Sequence, residues 1–188
     1  MRTRVLLATG CLLGGAVLLT GCGPNDADSA APDGWGTLRT RGVSVSYPKG
    51  PQGYVEQSAA ERSRYNAAAA VRKESGRRVS TITVQLDFTQ ANSAGQAAIA
   101  AEAGIGMGAK VEGEKDVKLA GTDEARRVDF GFRSTGESGE PPKGTPVKGV
   151  ILTGLDSAGR TFAVRIDAAR GALSSENLKK IVDSVRVH

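Results

Sequence analysis

The chain has 188 residues, a formal net charge of +5 and an aromatic content of only 4%. This length suits one domain with its own hydrophobic core, built mainly from Val, Ile, Leu and Ala. Acidic and basic residues are interspersed, and the sequence has no Lys/Arg-rich block or interleaved aromatic platform, so we expect no nucleic-acid partner.

The N-terminus has the pattern of a bacterial secretion signal. Arg2 and Arg4 precede an uncharged run of small and apolar residues from Val5 to Leu19. This run is shorter than the roughly 20 residues that a helix needs to cross a bilayer. It therefore predicts a cleaved signal peptide over residues 1–21 and not a permanent membrane span.

Cys22 directly follows the signal peptide and ends the tetrapeptide LTGC, which resembles the lipobox of bacterial lipoproteins. By that resemblance Cys22 becomes the first mature residue and carries a diacylglyceryl group. Two acyl chains, at about 0.8 kcal/mol per buried methylene, form a durable anchor. We therefore expect a protein that is lipid-anchored at Cys22 on the extracytoplasmic face of the cell membrane.

Cys11 ends a similar tetrapeptide, ATGC, but only Val5 to Leu7 precede it. Three residues are too few for the apolar region of a signal peptide, so Cys11 is removed with the signal. No disulfide is then expected. The alternative for Cys22 is an ordinary thiol within a leader.

A flexible tether is predicted over residues 22–34, because this stretch is rich in Pro, Asp, Ala and Ser and has no apolar periodicity. Trp35 is the first residue that favours burial, and we expect it to pack at the edge of the domain's core and not to serve as a ligand platform. The domain is therefore predicted to span residues 35–188.

Strands are predicted wherever apolar residues alternate with polar ones. The clearest is TITVQLDF, whose Ile82, Val84, Leu86 and Phe88 share one face. The other predicted strands cover Val43 to Tyr47, Asp116 to Leu119, Ala125 to Phe132, Val147 to Leu155 and Thr161 to Asp167. The last four form two hairpins, and the loop from Gly136 to Pro146 is expected to be exposed and mobile.

Two helices are predicted between these strands. Ser93 is placed to cap an Ala-rich helix that runs through Glu102. A second helix follows Ser174 or Ser175, with Leu178, Ile181, Val182 and Val185 spaced as an apolar stripe. The segment from Ala59 to Lys73 has helical propensity, but an antiparallel strand is the natural partner for the strong strand that follows it.

The order of these elements resembles that of PsbP-like domains, and most closely that of lipid-anchored, LpqN-type lipoproteins of actinobacteria. The stretches that carry the resemblance are GVSVSYPKG, STITVQLDF, VKLAGTDEARRVDFGF, GVILTGLDSAGRTFAVRI and LKKIVDSVRV. The resemblance implies an α+β fold in which helices sandwich an antiparallel sheet. It also implies a strand over Asn66 to Lys73, paired with Val79 to Phe88, and it transfers no catalytic or cofactor-binding residue.

The candidate catalytic motifs are weak. His188 is the only histidine and is terminal, so a Ser-His-Asp arrangement or a zinc site lacks its usual ligands. The glycines from Gly104 to Gly108 follow a predicted helix instead of a strand, which favours a helix-ending loop over a dinucleotide site. Asp123 and Glu124 are expected to be solvated acids in a hairpin turn.

Two arginine pairs are candidate binding sites for phosphate or acidic glycans. These are Arg77 with Arg78 and Arg126 with Arg127. The alternative is that each pair lies on a solvated strand edge.

Three classes of function remain open: a non-catalytic binding module, a carrier of lipidic ligands, and a hydrolase that works without histidine. We favour a binding module for an envelope protein or a lipidic ligand, with no metal and no cofactor. A carrier needs an apolar pocket of roughly 300 Å³ or more. An enzyme needs polar residues that converge in such a pocket.

Overall fold

A computed structural model describes residues 31–106, 108–137 and 139–188. Its elements in chain order are β1 (Trp35–Arg39), β2 (Val43–Pro48), β3 (Val55–Glu56), β4 (Ala68–Glu74), β5 (Arg77–Leu86), α1 (Ala94–Ala103), β6 (Lys110–Leu119), β7 (Thr122–Arg133), β8 (Pro146–Leu155), β9 (Thr161–Ala169), α2 (Ser175–Asp183) and β10 (Arg186–Val187).

The fold is predominantly β, and the prediction of an α+β sandwich is wrong. Two antiparallel sheets are present, one of three strands and one of seven, and the helices are only ten and nine residues long. The prediction failed because the first strands and the chain end pair with each other in the order β1-β2-β10 instead of joining the larger sheet. A second sheet therefore covers much of the face that was assigned to helices.

The larger sheet has the strand order β3-β4-β5-β9-β8-β7-β6. Both predicted hairpins are confirmed, since β6 pairs with β7 and β8 pairs with β9. The turn between β8 and β9 begins at Asp156, whose carboxylate accepts hydrogen bonds from the backbone N–H groups of Ala158 and Arg160, each at 2.9 Å. This side chain acts as the cap that an Asx turn requires.

The main core lies between the two sheets. It contains Leu38 and Val45 from the small sheet, Val84 and Val164 from the large sheet, and Ile181 from α2. Trp35 packs at its margin, as predicted. Residues from both sheets and from α2 therefore fold as one unit.

A smaller core lies on the opposite face of the large sheet, beneath α1. Ala98 and Ala101 of α1 pack there with Val128, Phe130 and Ile151. Small alanine side chains let the helix approach the strands closely. The caps of both helices are confirmed, because the hydroxyl of Ser93 accepts from the N–H of Gln96 and that of Ser174 accepts from the N–H of Asn177.

The ambiguous segment from Ala59 to Lys73 contains no helix. It forms turns and then β4, which pairs with β5 in the register Ala70↔Ile82. The strand prediction is therefore confirmed. Burial of Ala68, Ala69 and Ala70 outweighs their modest preference for helix.

Candidate functional site

A polar cleft of about 330 Å³ opens on the face of the large sheet that carries α1. The alternation of β5 creates its floor: Ile82 and Val84 point into the main core, while Thr81, Thr83 and Gln85 line the cleft. The residues on this face are polar because α1 covers only the neighbouring part of the sheet, against β7, β8 and β9.

Arg165 and Asp167 of β9 lie side by side in the cleft. Nε of Arg165 donates to Oδ1 of Asp167 at 3.0 Å, and the Asp167 side chain keeps 20% of its surface exposed. Burial raises the pKa of Asp167 above its usual value, and the charges of Arg165 and Arg78, together with the hydrogen bond of Arg165, offset only part of that effect. The cleft thus holds a carboxylate whose negative charge is incompletely compensated.

A second ion pair closes one end of the cleft. Nη2 of Arg78 lies 3.0 Å from Oε1 of Glu140, and the hydroxyl of Thr135 donates to Oε2 at 3.2 Å. Glu140 belongs to the loop that was predicted to be exposed and mobile. That loop contacts the sheet, since the N–H of Arg78 donates to the carbonyl of Gly139 at 2.7 Å.

Phe130 supports the position of Arg165. The guanidinium carbon of Arg165 lies 4.9 Å from the centroid of the Phe130 ring. Gly149 makes this possible, because a Cβ atom there would lie 2.2 Å from Cζ of Phe130. The ring therefore occupies the space that a side chain at 149 would need. Gly149 is paired with Phe130 on one side and with Asp167 on the other, so the three residues lie next to one another across the sheet.

A second cavity of about 430 Å³ lies on the other face of the sheet, beside α2. Its apolar wall contains Val150, Ile166, Leu173 and Leu178, and Lys148 lies among the charged residues that also line it. This cavity exceeds the size that we set for a lipidic ligand.

Three of the four predicted arginines form ion pairs, and the fourth, Arg77, donates from Nη1 to the carbonyl of Glu140 at 3.1 Å. Arg126 contacts Glu114 and Asp116, and Arg127 contacts Asp129. These two arginines lie in the interior strand β7 and not on an edge. Of the four predicted arginines, Arg78 lines the polar cleft.

The remaining candidates do not meet in one site. Asp123 and Glu124 are exposed at the start of β7, and the ring Nε2 of His188 lies 3.0 Å from the hydroxyl of Ser44. The described part of the stretch from Gly104 to Gly108 connects α1 with β6, which confirms a helix-ending loop.

Cys22 lies outside the described residues. Within the described ranges, neither helix has the length and apolar character that a membrane crossing requires. Those same residues include no group of three or more His, Cys, Asp or Glu side chains suited to hold a metal ion.

Sequence reasoning missed Asp167 as a site residue. The only available signal was the pair of charged residues, Arg165 and Asp167, alternating with apolar ones in the strand TFAVRID. On a half-buried strand such residues are expected to face water. Their position beneath a loop and beside a helix depends on tertiary structure.

No family model matches this chain, and no curated protein sequence matches it. One similar solved structure is the crystal structure of a protein of unknown function, PA94, from Pseudomonas aeruginosa. The two chains are 10% identical with a TM-score of 0.37, over 74% of this chain and 85% of that chain.

Proposed function

We propose that this protein is a lipid-anchored binding module on the extracytoplasmic face of the cell membrane, which captures an envelope protein or a lipidic component without turning it over. The observation that carries the proposal is the polar cleft, where the incompletely compensated Asp167 lies on a floor of hydroxyl and amide side chains. Such a site provides the few orienting polar groups that ligand recognition requires.

The anchor adds a reason of a different kind. For the tether predicted from the sequence, roughly twelve residues treated as a flexible chain give a reach of about 20 Å, at 5–6 Å multiplied by the square root of the residue number. Confinement to the membrane surface raises the effective concentration of membrane components, so a modest affinity suffices.

A second candidate function is that of a lipid carrier, which is favoured by the cavity beside α2. Its apolar wall suits an acyl chain, and Lys148 suits an anionic headgroup. Ala168 lines this cavity, so Ala168→Phe should fill it. A lipid that copurifies with the wild-type protein and is absent from Ala168→Phe, as measured by mass spectrometry, would favour this candidate.

The main proposal is tested by crosslinking the whole chain to its neighbours in intact cells. Thr83→Arg places a large charged side chain on the cleft floor, and Thr122→Arg places the same side chain at the hairpin between β6 and β7. We expect a crosslinked component with wild type and Thr122→Arg and its loss with Thr83→Arg. Equal capture by both variants would contradict the proposal.

The hydrolase alternative is tested with the same whole chain. Turnover of ester, glycan or peptide substrates that disappears in Asp167→Asn, with the fold intact, would replace the binding module with an enzyme.

A further inference from the structure

We propose that the cleft binds the primary ammonium group of a small ligand, with Oδ2 of Asp167 as its anionic partner. This inference rests on the proposed function and names the group that the cleft recognises.

Oδ2 of Asp167 is free to accept a ligand. Arg165 donates its hydrogen bond to Oδ1, and no described residue donates a hydrogen bond to Oδ2. Among the described residues, every fully buried side-chain nitrogen or oxygen has a hydrogen-bond partner. Because Oδ2 has none, it is not fully buried and is accessible to solvent in the cleft. A carboxylate oxygen in a partly desolvated cleft binds a cation more strongly than one in open water does.

The large sheet contains a matched ion pair that shows what a closed site looks like. Arg127 and Asp129 of β7 have the same spacing as Arg165 and Asp167 of β9. Nε of Arg127 lies 3.1 and 3.0 Å from the two oxygens of Asp129, and its Nη2 lies 2.6 Å from Oδ1. Both oxygens of Asp129 are therefore occupied, whereas Asp167 has one donor and one open oxygen.

Arg165 does not close its own pair because its guanidinium is held elsewhere. The group lies over the Phe130 ring, and Nη1 donates a long 3.4 Å hydrogen bond to the carbonyl of Gly104. Only Nε remains directed at Asp167. The contacts of Arg165 with Phe130 and Gly104 therefore leave Oδ2 of Asp167 without a hydrogen bond, and no such contacts of Arg127 are seen in the described part of the chain.

The surroundings of Oδ2 suit an ammonium group. Thr81 is paired with Asp167 across the two strands and lines the cleft, so its hydroxyl oxygen provides a second acceptor beside the carboxylate. An ammonium group has three donors and no acceptor. Three acids, Glu61, Glu140 and Asp167, and two bases, Arg78 and Arg165, line the cleft, which favours a cation. A volume of about 330 Å³ suits a small molecule.

The test is a titration of the whole chain, in detergent at low salt, with 1,5-diaminopentane and with the neutral 1,5-pentanediol. Wild type should bind the diamine and not the diol. Asp167→Asn should weaken diamine binding about tenfold or more, the scale expected for losing one charged hydrogen bond. The matched control Asp129→Asn removes a carboxylate from the closed pair and should leave binding unchanged.

A second measurement needs no variant. The carboxyl pKa of Asp167, followed by NMR in the wild-type protein, should fall when the diamine is added, because a bound cation stabilises the ionised form. Equal affinity of wild type and Asp167→Asn, binding of the diol, or an unmoved pKa would overturn the inference. Cleft-dependent capture in the crosslinking experiment tests the binding role separately and does not require an amine.

Discussion

Replacing Ile181 with Ala tests whether α2 is held by the core between the two sheets. Ile181 is the buried residue of α2 and has 0% of its surface exposed. The substitution removes three carbons at about 0.8 kcal/mol each, and the cavity that remains adds to the loss. We expect the free energy of unfolding to fall by about 3–4 kcal/mol, within the range of about 2–5 kcal/mol for such changes.

Ile99→Ala is the matched control, because it makes the same chemical change in the other helix at a side chain that is 69% exposed. Alanine favours helix more than isoleucine does, so the control should be neutral or slightly stabilising, within about 0.5 kcal/mol. Urea unfolding followed by circular dichroism measures both variants. In a domain of this size the melting temperature of Ile181→Ala should fall by about 2–4 °C per kcal/mol.

Two outcomes would refute the reasoning about α2. If both variants lose the same free energy, burial does not distinguish the two helices. If Ile181→Ala loses less than about 1 kcal/mol, α2 does not pack on the inter-sheet core as described. A change of slope with denaturant, without a change of midpoint, would report on the denatured state instead.

Cys22→Ala should abolish labelling by a fatty acid in cells, and equal labelling of wild type and variant would contradict lipidation. Gly149→Ala should cost about 1–3 kcal/mol, because the new Cβ would overlap the buried Phe130 ring; an unchanged urea midpoint would contradict this steric account. Burial alone would raise the pKa of Asp156, but hydrogen bonds from Arg160 and Ala158 and the charge of Arg160 outweigh it, so this pKa lies below its usual value. The stabilisation is present above about pH 3.9 and is lost as the pH falls through the lower folded-state pKa. Asp156→Asn should therefore flatten the acid limb of a stability profile, and identical acid limbs would show that the carboxylate contributes nothing.

Local sequence patterns predicted most of the helices and strands, because the spacing of apolar residues in a segment indicates which of its side chains are buried. The alternation in β5 places Ile82 and Val84 in the core, and the serine caps mark where both helices begin. The stripe of α2 was only partly predicted, since the helix ends at Asp183 and Val185 lies beyond it. Val185 is nevertheless buried, so the spacing of the apolar residues predicted its burial correctly although it lies beyond the end of the helix.

The small sheet could not be predicted because its pairing joins distant parts of the chain. β10 has only two residues, and its partner is β2, at the opposite end of the domain. Two residues carry too little pattern to identify a strand. Because the small sheet was not predicted, helices were expected to cover the face of the large sheet that the small sheet packs against.

The polar cleft shows the same limit for a functional site. The tripeptides Arg-Val-Asp at 127–129 and Arg-Ile-Asp at 165–167 are nearly identical in sequence, and both predict charged residues on a strand face. The tertiary structure separates them, because the missing side chain at Gly149 lets the Phe130 ring lie where it contacts the guanidinium of Arg165. Nε and Nη2 of Arg127 donate to both carboxylate oxygens of Asp129. Arg165 donates to Oδ1 of Asp167 from Nε and leaves Oδ2 without a hydrogen bond from any described residue. The difference between a structural ion pair and a candidate binding group therefore arises on the neighbouring strands, outside both tripeptides.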